Sequence, residues 1–194
     1  MRGGPQGRQN VFLALPSPIY HVAPGTLPMA DVFSQKKRSQ VMKAVRSRDN
    51  RTTETTFCRA LRVAGITGWR RHLTIRLRNP RARARVPSDD GSVRCAPDFV
   101  FRKERVAVFV DGCFWHCCPS HGTMPLVRAA FWKRKLTRNI ERDKQINRLL
   151  RADDWCVLRI WEHSLRSSPA SCIRRVQRAI AARCARQRRS AGGH

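Results

Sequence analysis

Pro97-Asp98-Phe99-Val100-Phe101-Arg102-Lys103-Glu104-Arg105-Val106-Ala107-Val108-Phe109-Val110-Asp111-Gly112 is the stretch on which the fold turns. Residues 98–101 and 106–110 read as two short strands joined by four polar residues, the pattern of a hairpin. Antiparallel pairing would bring Asp98 and Asp111 to the same end of a sheet. Two carboxylates there suit Mg²⁺, a hard ion that takes oxygen ligands. Pro-Asp and Asp-Gly are also ordinary turn pairs, so the two acids alone do not decide the matter.

Working outward from the hairpin, 129–150 reads as a long helix, with Phe131, Leu136, Ile140, Ile146, Leu149 and Leu150 as its apolar positions. The run 156–161 reads as a strand, and a helix over 169–184 carries Ile173, Val176 and Ile180. Strand, long helix, strand is the signature of a parallel crossover. On the N-terminal side, Ser34 is a candidate N-cap for a helix to Val45. A second helix over 54–64 buries Phe57, Leu61 and Ala64 and stops near Gly65. The segment 69–96 looks irregular and basic, with 79–93 as a loop insertion. The expected class is α/β: a mixed central sheet flanked by helices.

The 194 residues favour one domain, and 41% hydrophobic content is enough for a core. Lys and Arg number 40 against 13 Asp and Glu, a formal net charge of +27. Such an excess repels itself and usually answers a polyanion, nucleic acid before others. Part of it is also what an Arg-favouring composition would write. No apolar run is long enough for a transmembrane helix. Val11 to Leu15 is cut short by Pro16 and Pro18, too brief for a secretory segment, so the expectation is a cytoplasmic protein without disulfides. Residues 1–28 read as an unstructured extension, 29–185 as the domain, and 186–194 as a basic tail.

Gly112-Cys113-Phe114-Trp115-His116-Cys117-Cys118-Pro119-Ser120-His121 concentrates thiols, imidazoles and two large rings. Buried cysteines are common singly, but three within six residues fit that account poorly. Cys113, Cys118 and His121 have spacing suited to three ligands of a structural Zn²⁺. His163 is the leading fourth ligand, with Cys117 and Cys156 as alternatives. His116 could be a further ligand or a base.

Taken together, these stretches resemble the very short patch repair (Vsr-type) endonucleases, relatives of the PD-(D/E)xK nucleases with a restriction-endonuclease-like fold. The resemblance is carried by Met29-Ala30-Asp31-Val32, Arg38-Ser39-Gln40-Val41-Met42, Pro97-Asp98-Phe99-Val100 and the run from Val108 to His116. Phe131-Trp132 with Lys135, Asn139, Arg142 and Asp143, and then Trp161-Glu162-His163, extend it to about residue 166. It implies an enzyme that nicks double-stranded DNA beside T:G mismatches arising from deaminated 5-methylcytosine. Asp98 would hold catalytic Mg²⁺, with Glu54 completing the centre through water. His116 would be the general base and Asp143 its orienting carboxylate. Cys113, Cys118, His121 and His163 would hold structural Zn²⁺. Phe114, Trp115 and Trp132 would wedge into the DNA stack. The implied partners are the mismatched duplex, mismatch-repair proteins and a companion cytosine methyltransferase, with the enzyme a monomer that uses no membrane.

Each residue also has a plainer reading. The aromatics could be core, Asp143 a surface partner of Asn139 or Asn147, and Glu54 an acid serving the helix dipole. Val110-Asp111 stands where the family's best-known members have Thr-His, so Asp111 either adds an oxygen ligand for Mg²⁺ or does something else. No Lys occupies the usual nuclease position, which agrees with His116 as the base. The rival functions are a restriction-like or structure-specific nuclease without mismatch preference, and a non-catalytic zinc-dependent DNA-binding protein.

Overall fold

The computed structural model describes residues 53–78 and 92–191. The expected 34–45 helix, the 1–28 extension and most of the 79–93 insertion lie outside these described residues. Helix α1 (Glu54–Val63) is followed by strands β1 (Trp69–Arg71), β2 (Ile75–Arg78), β3 (Ser92–Cys95), β4 (Phe99–Phe101) and β5 (Val106–Asp111). Then come α2 (Ala129–Ala152), β6 (Cys156–Trp161), α3 (Glu162–Ser167) and α4 (Pro169–Ala191).

Four strands form one sheet in the order β1-β4-β5-β6, and β2 pairs with β3 separately. Strands β4 and β5 are the hairpin expected from the sequence, antiparallel with Phe99 opposite Val108 and Phe101 opposite Val106. Strand β1 adds antiparallel to β4. Strand β6 lies parallel to β5, from Val106 opposite Cys156 to Asp111 opposite Trp161. Parallel neighbours need a crossover, and the 24-residue helix α2 supplies it. The sheet is mixed and flanked by helices.

Both sheet faces are buried, which explains why β4 and β5 read as continuous apolar runs rather than as alternating ones. Phe99, Phe101, Val106 and Val108 pack with α1, α3 and α4 through Phe57, Leu61, Leu165, Ile173 and Val176. Val100 and Ala107, which point the other way, pack with Leu149, Leu150 and Trp155 and with Ile75, Leu77 and Cys95 of the β2–β3 pair. The strand period of two thus builds two cores from one hairpin.

Two expectations are corrected. Residues 69–96 are not all irregular: β1, β2 and β3 fall there, and Ser92 and Val93 belong to β3 rather than to a loop. In β2, Ile75 and Leu77 are buried while Arg76 and Arg78 are exposed, so the alternation was present but written in Arg. The basic tail is likewise not a tail through 191, because α4 continues to Ala191. Arg183 holds that extension down by donating to the Glu104 carbonyl and to Asp154.

Candidate active site and metal-binding cluster

The ends of β4 and β5 away from the hairpin turn gather the acidic residues. Asp98 immediately precedes β4, and its Oδ2 accepts a hydrogen bond from the Val110 amide at 2.7 Å. The carboxylate takes a backbone donor just past the Phe99–Val108 rung, which fixes it against β5. Glu54, at the first turn of α1, is only 4% exposed. An acid serving the helix dipole alone would sit in solvent; this one accepts from Arg71 at 2.8 Å and lies 2.9 Å from His72 Nε2. Glu54, His72 and Asp98 offer ligand atoms that all lie within 4.8 Å of one another, so they could hold a metal ion. Burial pushes the Asp98 carboxyl up to about 6; the Val110 amide opposes this and Glu54 adds to it. His72 has φ +50°, a left-handed conformation uncommon for a side-chain-bearing residue.

One residue beyond Val110, Asp111 is 3% exposed and does not join that cluster of ligand atoms. Its two oxygens accept from Arg159 Nε at 2.7 Å and Nη2 at 3.0 Å. The antiparallel hairpin does bring the two acids to one end, but Asp111 is committed to a guanidinium.

His116 Nδ1 lies 2.5 Å from Asp143 Oδ2 and 3.7 Å from Asp111 Oδ1. The other Asp143 oxygen lies 3.2 Å from Arg159 Nη2. Burial raises the Asp143 pKa, but the bond to His116 and the Arg159 charge outweigh it and hold the carboxyl below its usual value. Asn139, Asp143 and Asn147 recur every four residues and so share one face of α2. That face docks the site. Asn139 donates to the Trp115 carbonyl at 3.2 Å, Asp143 meets His116, and Asn147 accepts from Arg159 at 3.4 Å. Asp143 therefore faces inward and is not a surface partner of its helical neighbours.

Between β5 and α2 the chain turns tightly. The His116 amide donates to the Gly112 carbonyl and the Cys118 amide to that of Cys113. Cys117, at φ +52°, reverses the chain between His116 and Cys118. Gly122 closes the turn: a Cβ there would sit 2.6 Å from the Cys118 carbonyl oxygen. Cys113, Cys118, His121 and His163 present ligand atoms within 4.8 Å of one another. His163 Nδ1 lies 3.3 Å from Cys113 Sγ and 3.4 Å from Cys118 Sγ, while His121 Nδ1 lies 3.8 Å from Cys118 Sγ. Tetrahedral zinc, with bonds of about 2.3 Å to sulfur and about 2.0 Å to nitrogen, separates S from N by roughly 3.5 Å. The donor set fits. Cys117 and Cys156 are not in this cluster.

Phe114, Trp115 and Trp132 form one aromatic group, with centroids 5.1 Å apart for Phe114–Trp115 and 5.3 Å for Phe114–Trp132. Lys135 Nζ lies 5.0 Å from the Trp115 ring. Trp132 is only 6% exposed, whereas its neighbour Phe131 is 38% exposed.

Sequence reasoning passed over His72 and Arg159. His72 lay in a segment read as irregular, and its contact with Glu54 is tertiary, so no local period marks it. Arg159 did carry a signal: it is the single charge in the strand Cys156-Val157-Leu158-Arg159-Ile160-Trp161, and a charge in an apolar strand demands a partner.

A family model described as DNA mismatch endonuclease Vsr matches residues 81–121. The type II nicking enzyme V.NaeI of Lentzea aerocolonigenes is 52% identical over 71 residues, which is 37% of this chain and 43% of that protein. DNA mismatch endonuclease Vsr of Escherichia coli (strain K12) is 33% identical over 140 residues, covering 71% of this chain and 77% of that enzyme. The type II nicking enzyme V.XorIIP of Xanthomonas oryzae pv. oryzae is 30% identical over 141 residues, 71% of this chain and 88% of that enzyme. The match to V.NaeI thus spans under half of that relative. With a mixed sheet, two inward-facing acids at one strand end, and relatives aligned over most of their length, the chain belongs to the Vsr family of restriction-endonuclease-like DNA endonucleases.

Proposed function

We propose that this chain is a metal-dependent endonuclease that nicks double-stranded DNA, and that its preferred substrate carries a T:G mismatch left by deamination of 5-methylcytosine. The observation that carries the catalytic reading is the 2.5 Å contact between His116 and Asp143 at the strand end that also bears Asp98. An imidazole with Nδ1 engaged by a carboxylate keeps Nε2 for a water proton, and the carboxylate stabilises the imidazolium that results. Asp98, with Glu54 and His72 beside it, would hold Mg²⁺, which when bound supplies charge stabilisation to a phosphate under attack. Cys113, Cys118, His121 and His163 would hold a structural Zn²⁺ that stiffens the 112–122 turn. Phe114 and Trp115 lie two and one positions before His116 in that turn, and Lys135 beside Trp115 offers a phosphate contact. This arrangement suits an aromatic wedge next to a reacting backbone, with Trp132 as its buried support. A mispaired step opens more cheaply than a matched one, which favours the mismatch.

The mismatch preference is supported by the name of the E. coli relative. V.NaeI and V.XorIIP are called type II nicking enzymes, and nicking by a restriction-like nuclease without mismatch preference is the second reading. On either reading a monomer in the cytoplasm suffices, and mismatch-repair proteins or a companion cytosine methyltransferase are natural associates. Cleavage of end-labelled T:G and matched duplexes, with and without Mg²⁺, tests both. The proposal expects a single nick in the T-bearing strand that requires the ion. Equal rates on the two duplexes would transfer support to the second reading.

A further inference from the structure

We propose that Arg159 is the positioning residue of the His116–Asp143 pair, acting by withholding Asp111 from His116. The inference rests on the reading of His116 as the base, and it concerns which carboxylate that imidazole meets.

Two carboxylates, Asp111 buried and Asp143 half-buried, compete for one nitrogen. His116 Nδ1 has Asp143 Oδ2 at 2.5 Å and Asp111 Oδ1 at 3.7 Å. Without a third group either acid could accept from Nδ1, and the ring would have two orientations. The Arg159 guanidinium removes that choice. Its Nε and Nη2 take both oxygens of Asp111, at 2.7 and 3.0 Å. The same Nη2 reaches Asp143 Oδ1 at 3.2 Å, on the oxygen that His116 does not use. One planar fork therefore engages and holds both oxygens of Asp111, and Asp143 Oδ2 is the nearest acceptor for the imidazole.

The fork is itself held rigidly. Arg159 sits directly opposite Phe109 in the parallel β5–β6 register, and its guanidinium carbon lies 4.9 Å from that ring's centroid. Asn147 accepts from Nη1 at 3.4 Å, and Arg175 donates to the Arg159 carbonyl at 3.0 Å. The guanidinium contacts come from strand β5 and helix α2, while Arg175 of α4 anchors the backbone of the strand that carries it. Lysine at this position would present a single point charge without the planar fork that pairs with both oxygens of Asp111 while also reaching Asp143. The charge count agrees: two carboxylates stand against Arg159 and, when His116 carries a proton, against a second cation.

The test uses the full-length, zinc-loaded protein with Arg159→Met, Arg159→Lys, Asp111→Asn and the double variant Arg159→Met/Asp111→Asn. Two readouts are needed: single-turnover nicking with duplex affinity measured separately, and the proton NMR resonance of the His116 ring N–H. Wild type should show a strongly downfield Nδ1 proton, the signature of a short bond to one carboxylate. Arg159→Met should shift or lose that signal and slow cleavage about 100-fold, with duplex affinity changed less than about threefold, and Arg159→Lys should recover little. In the double variant the competing charge is gone, so the signal and at least a tenfold share of the rate should return. A normal signal and near-normal rate in Arg159→Met would overturn the inference. So would a loss of rate matched by equal loss of affinity and melting temperature, or a double variant no better than the single one, because each marks a merely structural arginine. The NMR readout needs no substrate, so a wild-type protein that fails to nick would count against the proposed function and not against this one.

Discussion

Asp98 shows how one side chain links burial, metal chemistry and pH. Desolvation lifts its carboxyl to about 6, whereas an aspartate in the unfolded chain titrates near 3.9. Between roughly pH 4 and 6 the folded state holds the proton more tightly, so Asp98's contribution to stability is full below pH ~4 and is lost as pH rises through about 6. Asp98→Asn should therefore raise the melting temperature of zinc-loaded protein without added Mg²⁺ at pH 7.5, by no more than about 3 kcal/mol of stability. The gain should vanish at pH 4, and scanning calorimetry at the two pH values checks it. A divalent ion competes with the same proton, so Mn²⁺ binding followed by electron paramagnetic resonance should weaken as pH falls below about 6 and disappear in the variant. His116→Ala should leave that binding in place and slow nicking about 10²- to 10⁴-fold. Loss of Mn²⁺ binding in His116→Ala would make the imidazole a ligand rather than a base.

At the scale of the element, the 112–122 turn has no regular strand or helix and its backbone hydrogen bonds are local, so its order should depend on the four-ligand cluster. Elemental analysis should find one zinc per chain, and stripping it should expose this turn and the start of α2 to proteolysis while β4 and β5 stay protected. Cys118→Ser should lose the ion, whereas Cys117→Ser should keep it, because only Cys118 shares the ligand cluster. The aromatic group divides the same way. Trp132→Ala, in a 6% exposed position, should destabilise the fold by about 3–5 kcal/mol, and Trp115→Ala should act on cleavage with far less effect on melting. Much of this was legible in the chain. Periodicity placed α2 and β6 almost to the residue, since a long amphipathic run and an uninterrupted apolar hexamer have few other uses. Strands β1 to β3 escaped because three- and four-residue strands written with Arg give too little apolar signal. The partners of Asp111 and Glu54 escaped because they arise only when distant strands meet.

For the molecule as a whole, charge and recognition should come apart. A net charge of +27 supplies affinity for any duplex, through phosphates and released counterions, and carries no information about base pairing. On the proposed mismatch reading, discrimination would come from the group of rings and proposed catalytic residues at one end of the sheet, where about 1.4 kcal/mol of difference in opening cost gives a tenfold preference. Salt is the lever that separates the two. If about six or more phosphates are contacted, raising salt from 50 to 200 mM should weaken binding of T:G and matched duplexes alike by about 10³-fold. The ratio of their single-turnover nicking rates, measured at saturating enzyme, should hardly move, because stacking and hydrogen bonding at the mismatch release few ions. Trp115→Ala should do the reverse, lowering the rate ratio while leaving the salt slope unchanged. A chain starting at Met29 should match the full chain in the ratio, since residues 1–28 carry five prolines and no helical or alternating period. A rate ratio that collapses with added salt would mean that the apparent mismatch preference is itself electrostatic, and the aromatic group would then be core and nothing more.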